Sequence, residues 1–172
     1  MKFSKKNLVL PSQYNKFHVL IHWLVVLTIL LQMISGDNIA SEFLTLRNSP
    51  ITNEASASNS QIHILGGLLI FLLMAIRVFL RIKFGVPVPT KETNSLLKRL
   101  SAFVHLGIYL VLFAIPLTGL AAFLTLNFDL GLAHKVLVNI LYVFVITHLI
   151  GVAYHQVFLG DNIMQRMTSW RS

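Results

Sequence analysis

The chain has 172 residues, 55% of them hydrophobic and only 12% charged, with a formal net charge of +8 and no cysteine. A soluble domain of this size carries about 25% charged residues, so the composition argues against one. The missing cysteines exclude disulfides, iron–sulfur clusters and every thiolate-ligated centre.

Four apolar runs, at 19–34, 62–80, 102–126 and 130–158, reach or approach the length needed to cross a bilayer core, about 20 residues. They predict an all-α fold: an integral membrane four-helix bundle, one domain over 1–172, with spans at about 18–36, 62–82, 101–126 and 130–158. The lipid bilayer is therefore the first expected partner. The positive charge does not indicate a nucleic-acid partner, because the basic residues sit in short segments flanking the apolar runs.

The N-terminal tail carries Lys2, Lys5, Lys6 and Lys16 without an acid. A basic tail before an apolar stretch resembles a signal peptide, but no small-residue cleavage site follows Leu31 and the stretch holds His22. It is read as a retained first span, with His18 interfacial at its mouth. The first loop, 37–61, is rich in Ser and Asn, contains Pro50, and sets Arg47 against Asp37, Glu42 and Glu54. It is expected to be an extended external segment.

The second span opens with His63, followed by Gly66 and Gly67, and closes with Arg77 and Arg81. The second loop adds Lys83, Lys91, Lys98 and Arg99 against Glu92, with Val86-Pro87-Val88-Pro89 as a stiff connector. The third span carries His105, Gly107, Tyr109 and Pro116, the last of which marks a kink. A short third loop with Asp129 leads to the fourth span, which holds His134, Lys135, His148 and His155. Arg166 and Arg171 follow in the tail against Asp161. Lys and Arg thus gather on the side of both termini and the second loop, which places both termini in the cytoplasm.

Six of the seven histidines lie in or at the ends of spans: His22, His63, His105, His134, His148 and His155. A polar side chain in lipid costs several kcal/mol unless it is paired or ligated. One such histidine is readily read as an interhelical hydrogen bond. Six on four helices, with scarcely a carboxylate to partner them, call for a common cause.

Spacing supplies it. His134 and His148 are 14 positions apart, which returns to nearly the same helix face about 21 Å further along the axis. Each can hold one haem, toward opposite leaflets, with a second axial imidazole from another span. By depth, His63 pairs with His134 on the external side and His22 with His148 on the cytoplasmic side. His155, seven residues further on, is an alternative to His148 as ligand. Zinc sites want four converging ligands, and di-iron sites in bundles want Glu-x-x-His pairs; the sequence presents neither. A haem-free transporter with a histidine proton relay is the remaining class.

Arg77, 14 positions after His63, is read either as a partner of a haem propionate or as an arginine snorkelling to the headgroups. His105 and Tyr109, one turn apart, form with His155 either a quinone pocket able to supply protons near neutral pH or a polar interfacial belt.

The run Ile21-His22-Trp23-Leu24, the run Ile62-His63 with Gly66-Gly67, Arg77 with Arg81, and His105 with Tyr109 and Pro116 together resemble the prokaryotic cytochrome b561 family. So do His134, His148 and His155, and the tail Gly160-Asp161-Asn162-Ile163-Met164-Gln165-Arg166-Met167. The resemblance covers nearly the whole chain after Tyr14. It implies a four-helix membrane cytochrome with two haem b groups in the bacterial inner membrane, exchanging electrons with ubiquinone. One branch of the family oxidises superoxide at the periplasmic face, as a superoxide:ubiquinone oxidoreductase; other members carry haem for a separate redox partner protein. Here the external segments carry Arg47 and Lys135 against Asp37, Glu42, Glu54 and Asp129. A site that steers an anion presents positive potential instead, so the chain departs from the superoxide-oxidising pattern on this point.

Overall fold

The computed structural model describes residues 14–48, 54–85, 94–160 and 163–168. Lys2, Lys5, Lys6, Pro50, the 86–89 connector, Lys91, Glu92, Asp161 and Arg171 lie outside the described residues. The elements are α1 (Lys16–Asn48), α2 (Glu54–Phe84), α3 (Ser95–Thr125), α4 (Phe128–Tyr154), a π-helical turn at His155–Leu159, and a short α5 (Ile163–Thr168). Four segments are long and apolar enough to cross a membrane: Lys16–Gly36, Ser60–Phe84, Ser95–Thr125 and Phe128–Leu159, with mean hydropathy of 2.1 to 2.3. The all-α membrane bundle expected from the sequence is the architecture found.

One expectation fails. The first loop is not extended over 37–61, because α1 continues to Asn48 and α2 already starts at Glu54. At 33 residues α1 is about 50 Å long, well beyond a hydrocarbon core of about 30 Å. The stretches 38–48 and 54–60 contain neither Pro nor Gly. Nothing in them breaks a helix already nucleated in the membrane, where extending it needs only one more hydrogen bond per residue.

α1 packs chiefly on α2 and α3 on α4, with α2 against α3 joining the two pairs. The core between them is Val25, Ile70, Leu73, Met74, Val111, Leu112 and Leu141, with Met74 only 1% exposed. The outer surface is apolar as well: Ile34 is 77% exposed and Ile82 79%. A row of such side chains is unfavourable in water and unremarked in lipid, where apolar contact with acyl chains costs nothing.

Because lipid gives no hydrophobic drive to helix association, close packing must supply it, and small residues allow it. A Cβ on Gly66 would run into the Gln32 amide of α1, and one on Gly107 into the Phe144 ring of α4. The α3–α4 connection is equally tight. Leu126 ends α3 in the left-handed region at φ 49°, and the Asn127 side chain accepts from Asp129 N (2.9 Å) and Leu130 N (3.2 Å) to cap α4. That turn folds α4 straight back along α3 and brings His134 beside Ile115.

Candidate functional site

The structure brings His63 of α2 and His134 of α4 face to face, with ring centroids 6.3 Å apart and planes at 70°. Two imidazoles bonded to opposite sides of one metal ion, with metal–nitrogen bonds of about 2 Å, hold their centroids about 6 Å apart. The observed separation matches.

The tautomers match too. His134 Nδ1 lies 2.9 Å from the Ile115 carbonyl, which can only accept, so Nδ1 carries the proton and Nε2 keeps its lone pair. His63 Nδ1 is 3.0 Å from Ser35 Oγ, and the Ser35 hydroxyl donates its single hydrogen to the Gln32 carbonyl at 3.2 Å. The hydroxyl must then accept from His63, which leaves Nε2 of that ring as the donor atom for a metal. Fixing one ring nitrogen with a backbone or hydroxyl acceptor while the other binds metal is the usual support for a ligating histidine.

A glycine lies beside each of these rings, and one of the two makes room. Gly36 lies so that a Cβ would sit 3.8 Å from His63 Cε1, an ordinary contact, whereas on Gly119 a Cβ would lie 2.8 Å from His134 Nδ1. Only glycine at 119 admits the imidazole against α3. Pro116 acts in the same place. Lacking an N–H, it removes the ladder bond to the Leu112 carbonyl; Thr118 Oγ1 donates toward the Ala114 and Ile115 carbonyls at 2.8 and 3.0 Å, and the Ile115 carbonyl also accepts from His134.

The other end of the bundle holds His22, His105 and His148 together with Arg77. His105 and His148 are in edge contact, ring centroids 5.1 Å apart, and His105 Nδ1–H donates to the Ser101 carbonyl at 2.6 Å, leaving its Nε2 free. His22 packs edge-on against Trp23. This end therefore offers three imidazoles where sequence spacing selected two, and His105 stands nearer His148 than depth alone suggested. His155 sits in the π-helical turn against Tyr154, ring centroids 6.3 Å apart. Among the described residues no three histidines or carboxylates converge on a single metal point; the donors face one another in pairs, as axial ligands of a flat macrocycle do. Nitrogen donors with no competing carboxylate suit haem iron.

Arg77 does not snorkel. It is half-buried and its Nε–H donates to Tyr109 Oη at 3.3 Å, while the Arg81 guanidinium lies 5.8 Å from the centre of the Tyr109 ring. Between them is a cavity of about 40 Å³, lined by His18, Arg77, Arg81, His105 and Tyr109 with Met167 of α5. His155 is not among its walls. His18, expected at the interface, is instead 6% exposed. Trp23 Nε1–H donates to the Met167 carbonyl at 2.7 Å and holds α5 against this end.

Sequence reading missed Ser35, Ser101, Gly119, the Ile115 carbonyl and the inward turn of His18. A signal existed for one of these: His18 stands one turn before His22 on the same face.

Known proteins resemble this chain along most of its length. The profile of prokaryotic cytochrome b561 matches residues 13–170. The chain is similar to cytochrome b562 of Cereibacter sphaeroides, 21% identical over 154 residues that cover 90% of this chain and 94% of that protein. It is likewise similar to the probable superoxide oxidase CybB of Yersinia pestis, 26% identical over 178 residues covering 91% of this chain and 96% of that one. Four membrane-spanning helices, paired intramembrane imidazoles and a match over almost the full length lead to one conclusion: the chain belongs to the prokaryotic cytochrome b561 family, and is a multi-pass bacterial membrane protein that transfers electrons with haem b.

Proposed function

We propose that this protein is a quinone-reducing oxidoreductase of the superoxide:ubiquinone type, with two haem b groups, one near each membrane face. His63 and His134 hold the outer group, and His22 and His148 the inner one, with His155 as the alternative to His148. With these histidines as its ligands, haem b would supply reversible one-electron chemistry, and exchange with donor and acceptor would be outer-sphere.

The chain's own residues do the rest. Ser35 and the Ile115 carbonyl fix the rings of His63 and His134. Met74, Val111, Leu112 and Leu141 fill the middle of the bundle and keep water out of it. Arg77 neutralises a propionate at the inner end through charge-assisted hydrogen bonds. His105, Tyr109 and His155 serve ubiquinone at the same end, where a group able to hand over a proton is required. With Lys and Arg concentrated around both termini and the second loop, that end faces the cytoplasm.

The observation that carries the reading is the opposition of His63 and His134 at 6.3 Å with both Nδ1 atoms already engaged. Superoxide as donor is supported by the likeness to the Yersinia pestis protein alone. Stopped-flow mixing of the oxidised, haem-loaded protein with superoxide tests it: the haem bands reduce faster than superoxide dismutates on its own, and a short-chain ubiquinone restores them. Haem that stays oxidised, yet accepts electrons from a chemical reductant, removes superoxide. It leaves a haem-bearing relay for a separate periplasmic redox partner.

A further inference from the structure

The cavity at the Arg77 end is cationic, and among the described residues its lining supplies no counter-charge. Two guanidiniums approach one phenol: Arg77 by its Nε–H at 3.3 Å, Arg81 over the ring face at 5.8 Å. Among the described residues no carboxylate lines the cavity. Arg77 Nη1 is buried without a hydrogen-bond partner, and so is His18 Nε2. The His18 side chain is 94% withdrawn from the surface, at 6% exposure. Leaving such groups unsatisfied costs about 1–3 kcal/mol each, more where the group is charged. An orphaned guanidinium donor and an orphaned imidazole nitrogen on one small cavity are therefore evidence of a missing polar ligand.

Size and chemistry define the acceptor. A volume of about 40 Å³ exceeds the roughly 10–15 Å³ that a single water occupies on the same measure. The space admits the oxygens of a carboxylate or phosphate group. The donors fit the same answer, since a guanidinium is a planar fork that meets carboxylate and phosphate oxygens in pairs. Tyr109 Oη, already accepting from Arg77, has its own hydrogen to give.

We propose that His18, Arg77, Arg81 and Tyr109 form an oxyanion-binding pocket that takes a single carboxylate or phosphate group. Two sources share that chemistry. One is a propionate of the inner haem, a case that rests on the haem assignment above. The other is the phosphate of an anionic phospholipid entering from the adjacent leaflet, which needs no haem at all. In either case the pocket extends beyond Arg77, and His18 and Arg81 are positioned for the ligand as Arg77 is.

The test uses the full-length haem-loaded protein and three variants: Arg81→Gln, Arg77→Gln and His18→Gln, with Arg81→Lys as the conservative control that keeps charge and loses the fork. Resonance Raman spectra report the propionate bending bands. Native mass spectrometry from nanodiscs of phosphatidylglycerol or phosphatidylcholine reports retained lipid. If the ligand is a propionate, the bending bands shift in all three Gln variants regardless of lipid, while the haem-to-protein ratio holds in Arg81→Gln. If it is a lipid phosphate, the bands stay put, phosphatidylglycerol is retained in preference to phosphatidylcholine, and each Gln variant weakens that retention about ten- to a hundredfold, the loss of one charge-assisted hydrogen bond. Arg81 is exposed, so its variants report even where Arg77→Gln fails to fold. Unmoved bands together with no preference for phosphatidylglycerol overturn the pocket while the haem assignment stands. A wild-type protein that binds no haem overturns the haem assignment, and the lipid arm then decides the pocket alone.

Discussion

Gly119→Ala is the smallest change that reaches the outer pair. The new methyl group would lie 2.8 Å from His134 Nδ1 and 2.9 Å from its Cε1, whereas carbon contacts relax at about 3.5–4.0 Å. The imidazole must retreat by roughly 0.7–1 Å to restore that spacing. It cannot do so freely, because its Nδ1–H is tied to the Ile115 carbonyl at 2.9 Å. Breaking that bond costs about 0.5–1.5 kcal/mol, and keeping it means overpacking α3 against α4 at about 1–3 kcal/mol. A ligand bond tolerates a displacement of only about 0.2 Å, so the ring loses its place on the metal. The expected result is one haem lost per chain, or a low-spin spectrum turned partly high-spin, in protein that still extracts and runs as the wild type. Gly151→Ala is the internal control: on α4, the helix that carries His134, a Cβ there meets nothing within 4 Å, and both haems stay. The pyridine haemochrome assay and the absorption spectrum read the outcome. Full haem content with an unchanged low-spin spectrum in Gly119→Ala refutes the reasoning.

Three further changes have defined outcomes. Ser35→Ala keeps the His63 ring and removes its acceptor, a loss of about 1 kcal/mol; haem is retained at low temperature and released several degrees earlier on heating, followed by the Soret band, while an unaltered release curve denies Ser35 an orienting role. Met74→Ala opens a cavity at a core side chain that is only 1% exposed and costs about 2–5 kcal/mol; a thermal midpoint in detergent within a degree of wild type contradicts the packing described. Trp23→Phe keeps the ring and deletes the hydrogen bond to Met167, so protease cuts after Arg166 more rapidly, with haem content unchanged; equal cleavage rates mean that α5 is held by other contacts.

The fold was legible because lipid solvation leaves a coarse mark: four apolar runs announce four spans whatever their packing. Loop 37–61 misled because Ser and Asn read as irregular structure, whereas a long membrane helix carries its register on through residues that do not break it. The histidines proposed as haem ligands stood out because intramembrane imidazoles are costly and the fourteen-residue spacing of His134 and His148 returns to one face. What supports them was not legible. Ser35 lies 28 positions from His63 and Ile115 19 from His134, and only the α1–α2 packing and the tight turn at Leu126 and Asn127 bring them together. His105 was assigned by its own helix face to Tyr109, and the α3–α4 packing puts it against His148 as well. His18 looked interfacial because it sits near the start of a span; Tyr14 and Phe84 beside it are what bury it.

The pairing of imidazoles is tested most directly by the haem-to-protein ratio of single and double variants. His63→Ala and His134→Ala each lose about one haem per chain, as removal of an axial ligand predicts, and the double variant loses no more than either alone. His63→Ala combined with His22→Ala loses both. If the His63/His134 double variant loses two haems, or either single variant loses none, these residues do not share an iron and the arrangement proposed for the bundle is wrong.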